Sequence, residues 1–267
     1  MGDEIYRPLI EDIVWSYSNI ETFNDCRYRW FLKYISRYKS ADKFYASYGL
    51  FMHNLLEKYY RGEMSKDDML KTFLRDFSKE VKGRRPKASI VKKYIDAGAE
   101  YLKNFVPFEY KTISVEEKIN FSIFGEDGEI PFVVRVDYIG EDEDGEYVVI
   151  DNKSRDLKPR SNRKKPTVKD KELDSMLKQL YVYAGAVKHK YGKFPKYLCF
   201  NCFKSGVFIK EEFIEEKYNE TIDWIRSNVK EIKGTEDFYP NKEYFSCRYI
   251  CGMSHLCCYN DTDERKW

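Results

Sequence analysis

Two short stretches carry residue types that can do chemistry together: Arg-Val-Asp at 135–137 and Asp-Asn-Lys at 151–153. Each sits at the end of an apolar run, and an acidic, glycine-containing segment, EDEDGE at 141–146, separates them. A strand-turn-strand unit would bring Asp137, Asp151 and Lys153 to one edge of a sheet. Side chains alternate along a strand with a period of two, so Asp151 and Lys153 share a face while Asn152 points away. The backbone carbonyl of Asn152 can still be a ligand. Paired carboxylates suit a hard divalent ion such as Mg2+ or Mn2+. Such an ion neutralises the non-bridging oxygens of a phosphodiester and activates the attacking water. A lysine beside it can hold that water or stabilise charge in the transition state. The constellation predicts metal-dependent phosphodiester hydrolysis.

A second cluster lies near the C-terminus. Of seven cysteines, Cys247, Cys251, Cys257 and Cys258 fall within twelve residues. The first residues, Met-Gly-Asp-Glu, have neither the basic start nor the apolar stretch of a secretion signal. A cytoplasmic location is therefore expected, and the cysteines point to metal or redox chemistry rather than disulfides. Cys247, Cys251 and Cys257 supply three thiolates, and an iron–sulfur cluster needs four. Cys26, on the first predicted helix, would be the fourth if that helix packs against the C-terminal segment. Zinc is the competing occupant, held by four cysteines or by three cysteines and His255. Cys258 follows Cys257 directly, so either can be the ligand. Cys199-x2-Cys202 lies in an apolar strand and reads as core.

The chain has 267 residues, a net charge of +2 and 34% charged residues, with a mean hydropathy of −0.68. No apolar stretch approaches the ~18–20 residues of a membrane span. Net charge does not mark a polyanion binder, but its distribution does. Segment 158–171 holds seven Lys or Arg against one Asp, directly after Asp-Asn-Lys, and a smaller cluster, KGRRPK, occupies 82–87. Arg155, Lys158, Arg160, Arg163, Lys164 and Lys165 are thus candidate phosphate contacts. Aromatics make up 17%, and tyrosines or Trp30 are available for base stacking.

The elements that must position these residues follow from periodicity. A helix is expected from Ser18, with Ser18-x-x-Glu21 as a capping box and Ile20, Phe23, Arg27, Trp30, Phe31 and Tyr34 as its stripe. A second helix covers 48–61 and places His53 and Glu57 on one face. Helix continues over 66–106, interrupted near Gly83. Strands are expected at 112–124, 131–139, 146–153 and 196–203, with another over 206–213, and turns at 125–128 and 140–145. Helices fill 172–190 and 214–232. This order implies an α/β fold with three parts: an N-terminal helical lobe (1–110), a core of mixed sheet flanked by helices (111–235) and a C-terminal cysteine segment (236–267).

Five motifs in this order resemble those of the PD-(D/E)XK nuclease superfamily, in its RecB-like and AddB-like branch with a four-cysteine iron–sulfur cluster, which includes the CRISPR adaptation nuclease. They are WSYSNIETFNDCRYRWFLKYI at 15–35, Gly49-x3-His53, VRVD at 134–137, IDNKS at 150–154 and Gln179-Leu180-x2-Tyr183. Val134 stands where the family has Gly, and three residues rather than two separate Cys247 from Cys251. The resemblance implies a restriction-endonuclease-like core. It further implies His53, Asp137, Asp151 and the Asn152 carbonyl on the metal, Lys153 as the catalytic lysine, and Gln179 and Tyr183 positioning DNA or the lysine. Glu116 or Glu117 would be a supporting acid. It also implies a [4Fe–4S] cluster on Cys26, Cys247, Cys251 and Cys257. Its substrate would be DNA, single-stranded or with free ends, and a helicase or recombination protein would be its partner. The competing reading is a noncatalytic DNA-end-binding iron–sulfur subunit.

Overall fold

The computed structural model describes residues 3–125 and 128–259, with side chains described from Tyr6 onward. The first half is helical: α1 (Asp3–Glu11), α2 (Tyr17–Asp25), α3 (Arg27–Trp30), a π-helical turn (Phe31–Ile35), α4 (Phe44–Tyr60), α5 (Lys66–Glu80) and α6 (Ala88–Lys103). Then follow β1 (Lys111–Gly125), β2 (Gly128–Glu141), β3 (Tyr147–Lys153), α7 (Val168–Tyr191), β4 (Tyr197–Cys202), β5 (Val207–Glu212) and α8 (Glu215–Lys233). A second π-helical turn, Ser246–Ile250, lies in the cysteine segment.

The five strands form one mixed sheet in the order β1-β2-β3-β4-β5. β1, β2 and β3 are an antiparallel meander, β3 and β4 run parallel, and β5 returns antiparallel. A parallel neighbour needs a crossover, which α7 supplies. β3 is buried along Val148–Asn152 because it is central and covered on both faces. β1 alternates instead, with Ile119, Phe121 and Ile123 buried between exposed Lys118, Asn120 and Phe124. One face of the sheet packs on α2, α7 and α8 through Ile20, Val149, Leu177, Leu180 and Ile225. A second core, with Phe44, Tyr48, Leu55, Phe73 and Leu102, joins α4, α5 and α6. This is the mixed α/β architecture expected from the sequence.

Several local expectations change. Ser16, not Ser18, caps α2, accepting from the Asn19 amide, and Ser18 lies inside the helix. The predicted continuous helix breaks at Cys26, which is extended (φ −164) and caps α3 by accepting from Arg29 N at 3.4 Å. α7 starts four residues early because Thr167 and Asp170 form a reciprocal capping box. α1 had no counterpart among the expected elements. The middle of the predicted turn, 126–127, lies outside the described residues.

Candidate active site

β2 and β3 deliver the carboxylates as the sequence requires. Asp137 and Asp151 are 8% and 2% exposed, on neighbouring strands where pairing of β2 with β3 has just ended. Asp137 Oδ2 accepts from Asn152 N at 2.8 Å. The next carbonyl, Lys153 O, accepts from Phe203 N at 3.1 Å on the β4 side. Successive residues of a strand direct their backbone groups to opposite neighbours, so the Asn152 carbonyl lies on the Asp137 side. Its side chain faces away, as expected, and Oδ1 accepts from Asn201 Nδ2 at 2.7 Å.

Lys153 reaches the site from the same face as Asp151. Its Nζ lies 2.8 Å from Asp151 Oδ2 and donates to Gln179 Oε1 at 2.7 Å. Gln179 Nε2 donates in turn to Asp151 Oδ1 at 3.0 Å and to Tyr183 Oη at 2.6 Å. One turn of α7 thus fixes both the carboxylate and the ammonium. Burial first, and then the nearby carboxylates, hold the Tyr183 phenol well above its ordinary range, so it stays neutral.

α4 brings His53 to the other side. His53 Nδ1 lies 3.3 Å from Asp137 Oδ2 and 3.9 Å from Glu116 Oε1. Ligand atoms of His53, Glu116 and Asp137 all fall within 4.8 Å of one another. Sequence alone could not choose between Glu116 and Glu117. Glu116 turns inward through a left-handed backbone conformation, φ 51, which is costly for a residue with a Cβ. Glu117 is engaged elsewhere, accepting from Lys190, Tyr191 and Ser114.

Charge crowding shifts these groups. Burial, and then the Asp151 charge, push Asp137 up to about 7, against the opposing pull of His53. Burial opposes a charged His53, but the hydrogen bond to Glu116 and the carboxylates of Asp137, Asp151 and Glu116 outweigh it, raising His53 to about 9. Asp151 Oδ2 is buried and makes no aligned hydrogen bond; Lys153 is its cation. Such a concentration of acid, with an underused buried oxygen, fits a divalent cation with oxygen and imidazole ligands.

The proposed DNA contacts divide. Arg155 pairs with Glu172, and Arg160 is held by Asp174 and Glu211. Lys158, Arg163, Lys164 and Lys165 are exposed. Trp30 is fully buried and donates to Asn19 Oδ1 at 2.9 Å, so it is not open to a base. A cavity of about 810 Å3 lies between α6 and the β4–β5 turn rather than at the acidic site, and Asn201 is in its wall.

The cysteines converge as well. Cys26, Cys247, Cys251 and Cys257 line one small cavity of about 30 Å3. Cys258 is exposed beside Tyr28 Oη at 3.4 Å, and His255 is also exposed. Cys199 and Cys202 are fully buried, as core residues.

A family model of the PD-(D/E)XK nuclease superfamily matches residues 14–258. No curated protein matches the sequence. Among solved structures, the chain is similar in fold to a candidate exonuclease from Eubacterium rectale. That match has 14% identity and a TM-score of 0.53, over 91% of this chain and 87% of the other. A crystal structure of SSO0001 aligns over 96% of each chain at 12% identity and a TM-score of 0.33. With Asp137, Asp151 and Lys153 assembled at the strand ends inside a match that spans nearly the whole sequence, the chain belongs to the PD-(D/E)XK nuclease superfamily.

Proposed function

We propose that this protein is a Mg2+- or Mn2+-dependent DNA nuclease, acting on single strands or from free ends, with a structural [4Fe–4S] cluster. The observation that carries the first half is the contact set around Asp151: Lys153 on one oxygen and Gln179 on the other, with Gln179 also bridging to Lys153. His53, Glu116, Asp137, Asp151 and the Asn152 carbonyl would hold the catalytic ion. When bound, that ion would supply charge neutralisation at the phosphate and acidify a water. Lys153 holds a positive charge where the attacking water and the phosphate must meet. Gln179 keeps that charge aimed by accepting from it, and Tyr183 fixes Gln179. Exposed Lys158, Arg163, Lys164 and Lys165 offer phosphate contacts beside the site. Exonuclease action is the reading that the Eubacterium rectale neighbour suggests.

For the cluster, the support is the shared cavity of Cys26, Cys247, Cys251 and Cys257. Four thiolates around one cavity meet the ligand count of an iron–sulfur cluster. The π-helical turn Ser246–Ile250 takes up the extra residue between Cys247 and Cys251. The cavity also favours Cys257 over Cys258 as the ligand.

The test is degradation of end-labelled linear and circular single-stranded DNA by anaerobically purified protein with Mn2+, Mg2+ or EDTA. Metal-dependent loss of linear DNA alone is expected, and the labelled end gives the polarity. Cutting of circles would make it an endonuclease. Binding without cleavage under every condition would sink the catalytic reading in favour of a noncatalytic DNA-end-binding subunit.

A further inference from the structure

The stripe of α4 that carries His53 continues away from the acidic site through Gly49 to Tyr45, each four residues apart and so aligned on one helix face. At 1.5 Å per residue, His53 and Tyr45 are about 12 Å apart. Gly49 marks the middle of this path: a Cβ there would meet Ser154 Oγ at 3.5 Å, one residue past Lys153. At the far end the Tyr45 ring packs 5.4 Å from Tyr94 and 6.2 Å from Phe245. The rings then run on across the cysteine segment. Tyr249 lies 5.3 Å from Phe245, and the Arg248 guanidinium stands 5.7 Å from the centroids of both Tyr244 and Tyr249. Tyr244 and Phe245 are 62% and 50% exposed.

Positive charge gathers at the same end. Lys43, two residues before Tyr45, bridges to Arg84, which brings the exposed basic loop 82–87 alongside. Hydrogen bonding to the Tyr249 hydroxyl, against the opposing effect of burial and with help from Tyr244, raises the Arg248 guanidinium above its ordinary range. Glu243, the nearest acid in sequence, is occupied in accepting from the Phe245 and Ser246 amides.

The exposed rings of Tyr244 and Phe245, with half-buried Tyr45 and Tyr249 beside them and guanidinium and ammonium groups close by, suit a single strand: every base has a π-face to stack, and every phosphate needs a cation. A duplex keeps its bases stacked on one another and cannot use the rings. We propose that Tyr45, Tyr244, Phe245, Tyr249, Arg248 and the 82–87 loop form a binding track for single-stranded DNA, a few nucleotides from the phosphate held at the acidic site. The inference rests on the nuclease reading above, because the α4 stripe gives the track its direction.

The experiment is fluorescence anisotropy of labelled oligothymidylates, a trinucleotide and a decanucleotide, and of a ten-base-pair duplex, in EDTA with the full chain. The decanucleotide should bind at least about tenfold more tightly than the trinucleotide or the duplex. Tyr244→Ser/Phe245→Ser should lose about tenfold of the decanucleotide affinity and little of the trinucleotide affinity. Lys82→Glu/Arg85→Glu, remote in sequence from the cysteines, should lose a similar factor and flatten the salt dependence. If the ring variant loses its iron or fails to fold, the loop variant still decides. Unchanged decanucleotide affinity in the folded variants, or wild-type affinity independent of length, overturns the track. So does a wild-type dimer that both variants dissociate without altering DNA affinity, since the face would then join copies of this chain. The nuclease reading is judged separately on wild-type protein with Mn2+ and linear DNA: absent cleavage with the length dependence intact would overturn that reading and leave the track standing.

Discussion

Lys153 and His53 stand on opposite sides of the carboxylate pair, 2.8 Å from Asp151 and 3.3 Å from Asp137 respectively. Their roles separate on substitution. Lys153→Gln removes the cation without touching the acids, so turnover should fall about 10²–10³-fold while metal and DNA binding persist. A rate within threefold of wild type in single-turnover assays would count against the assignment. Asp137 and His53 set the pH dependence. In the metal-free protein Asp137 is raised to about 7 and His53 to about 9, so both carry protons below neutrality. A divalent cation must expel those protons, and its affinity should rise with pH, most steeply below about 7, where both must leave, and less steeply from about 7 to about 9. Calorimetry in buffers of different ionisation enthalpy should detect proton release on Mn2+ binding; affinity flat from pH 6 to 8 would contradict this. Stability has the opposite sign. A carboxylate with a raised folded-state pKa binds its proton more tightly when folded, so the metal-free fold loses this contribution as pH climbs from about 4 to about 7.

At the scale of elements, the positioning is done by caps and buried polar links. Asp170 accepts from the backbone and hydroxyls of both Ser161 and Thr167, tying the basic loop to the start of α7. Those donors, the Ser161 hydroxyl first, hold its carboxyl well below the ordinary range. Its contribution is therefore present above the ordinary carboxylate pKa and lost as pH falls through the lowered one. Asp170→Ala should loosen the loop, and trypsin should cut at 163–165 faster than in wild type. A second link runs from β3 through β4 to the helical lobe: Asn201 Nδ2 donates to Asn152 Oδ1 and to Tyr101 Oη, each at 2.7 Å. Asn201→Ala leaves the buried Asn152 amide oxygen short of its donor, for a loss of about 1–3 kcal/mol by denaturant unfolding. Such links explain what the sequence showed and what it hid. Asp151 and Lys153 were legible because strand alternation puts them on one face, with Asp137 at the end of the preceding strand, whereas Gln179 and Tyr183 entered only through the family resemblance. The choice of Glu116 over Glu117 was hidden, since only a left-handed φ turns Glu116 to the site. α1 was hidden too, because Pro8 removes a helical donor from its interior. Asn201 carried no motif, because its partners lie 49 and 100 residues away in sequence.

For the whole molecule, the question is what holds the two ends of the chain together. Ion pairs join Arg27 to Glu231 and Lys233 to Glu11, but exposed pairs of this kind contribute little. Closer contact occurs at Gly252, where an added Cβ would stand 2.8 Å from Ser40 Cβ. There Ala41 N donates to Gly252 O at 2.8 Å, and buried Lys43 donates to Ser254 Oγ at 2.9 Å. These contacts set the C-terminal segment against the start of α4, the helix that carries His53. The four cysteines close the same seam from the other side, joining Cys26 to residues more than two hundred positions later. A cluster there would act as a long-range staple, favouring the fold by restricting the unfolded chain and by its own ligand bonds. Cys26→Ala should therefore lose the bound iron and about 3–5 kcal/mol, a Tm shift of about 10 °C in a chain of this size. Cleavage should fall only in proportion to the unfolded fraction, because Cys26 caps α3 rather than touching Asp137, Asp151 or Lys153. Cys258→Ala should retain both iron and Tm, since that thiol lies outside the cavity. Asp151→Ala should invert the pattern, retaining iron and losing cleavage. Iron content, melting temperature and Mn2+-dependent cleavage, measured together on these three variants, separate the staple from the catalyst. Loss of iron in Cys258→Ala with retention in Cys26→Ala would reverse the ligand assignment.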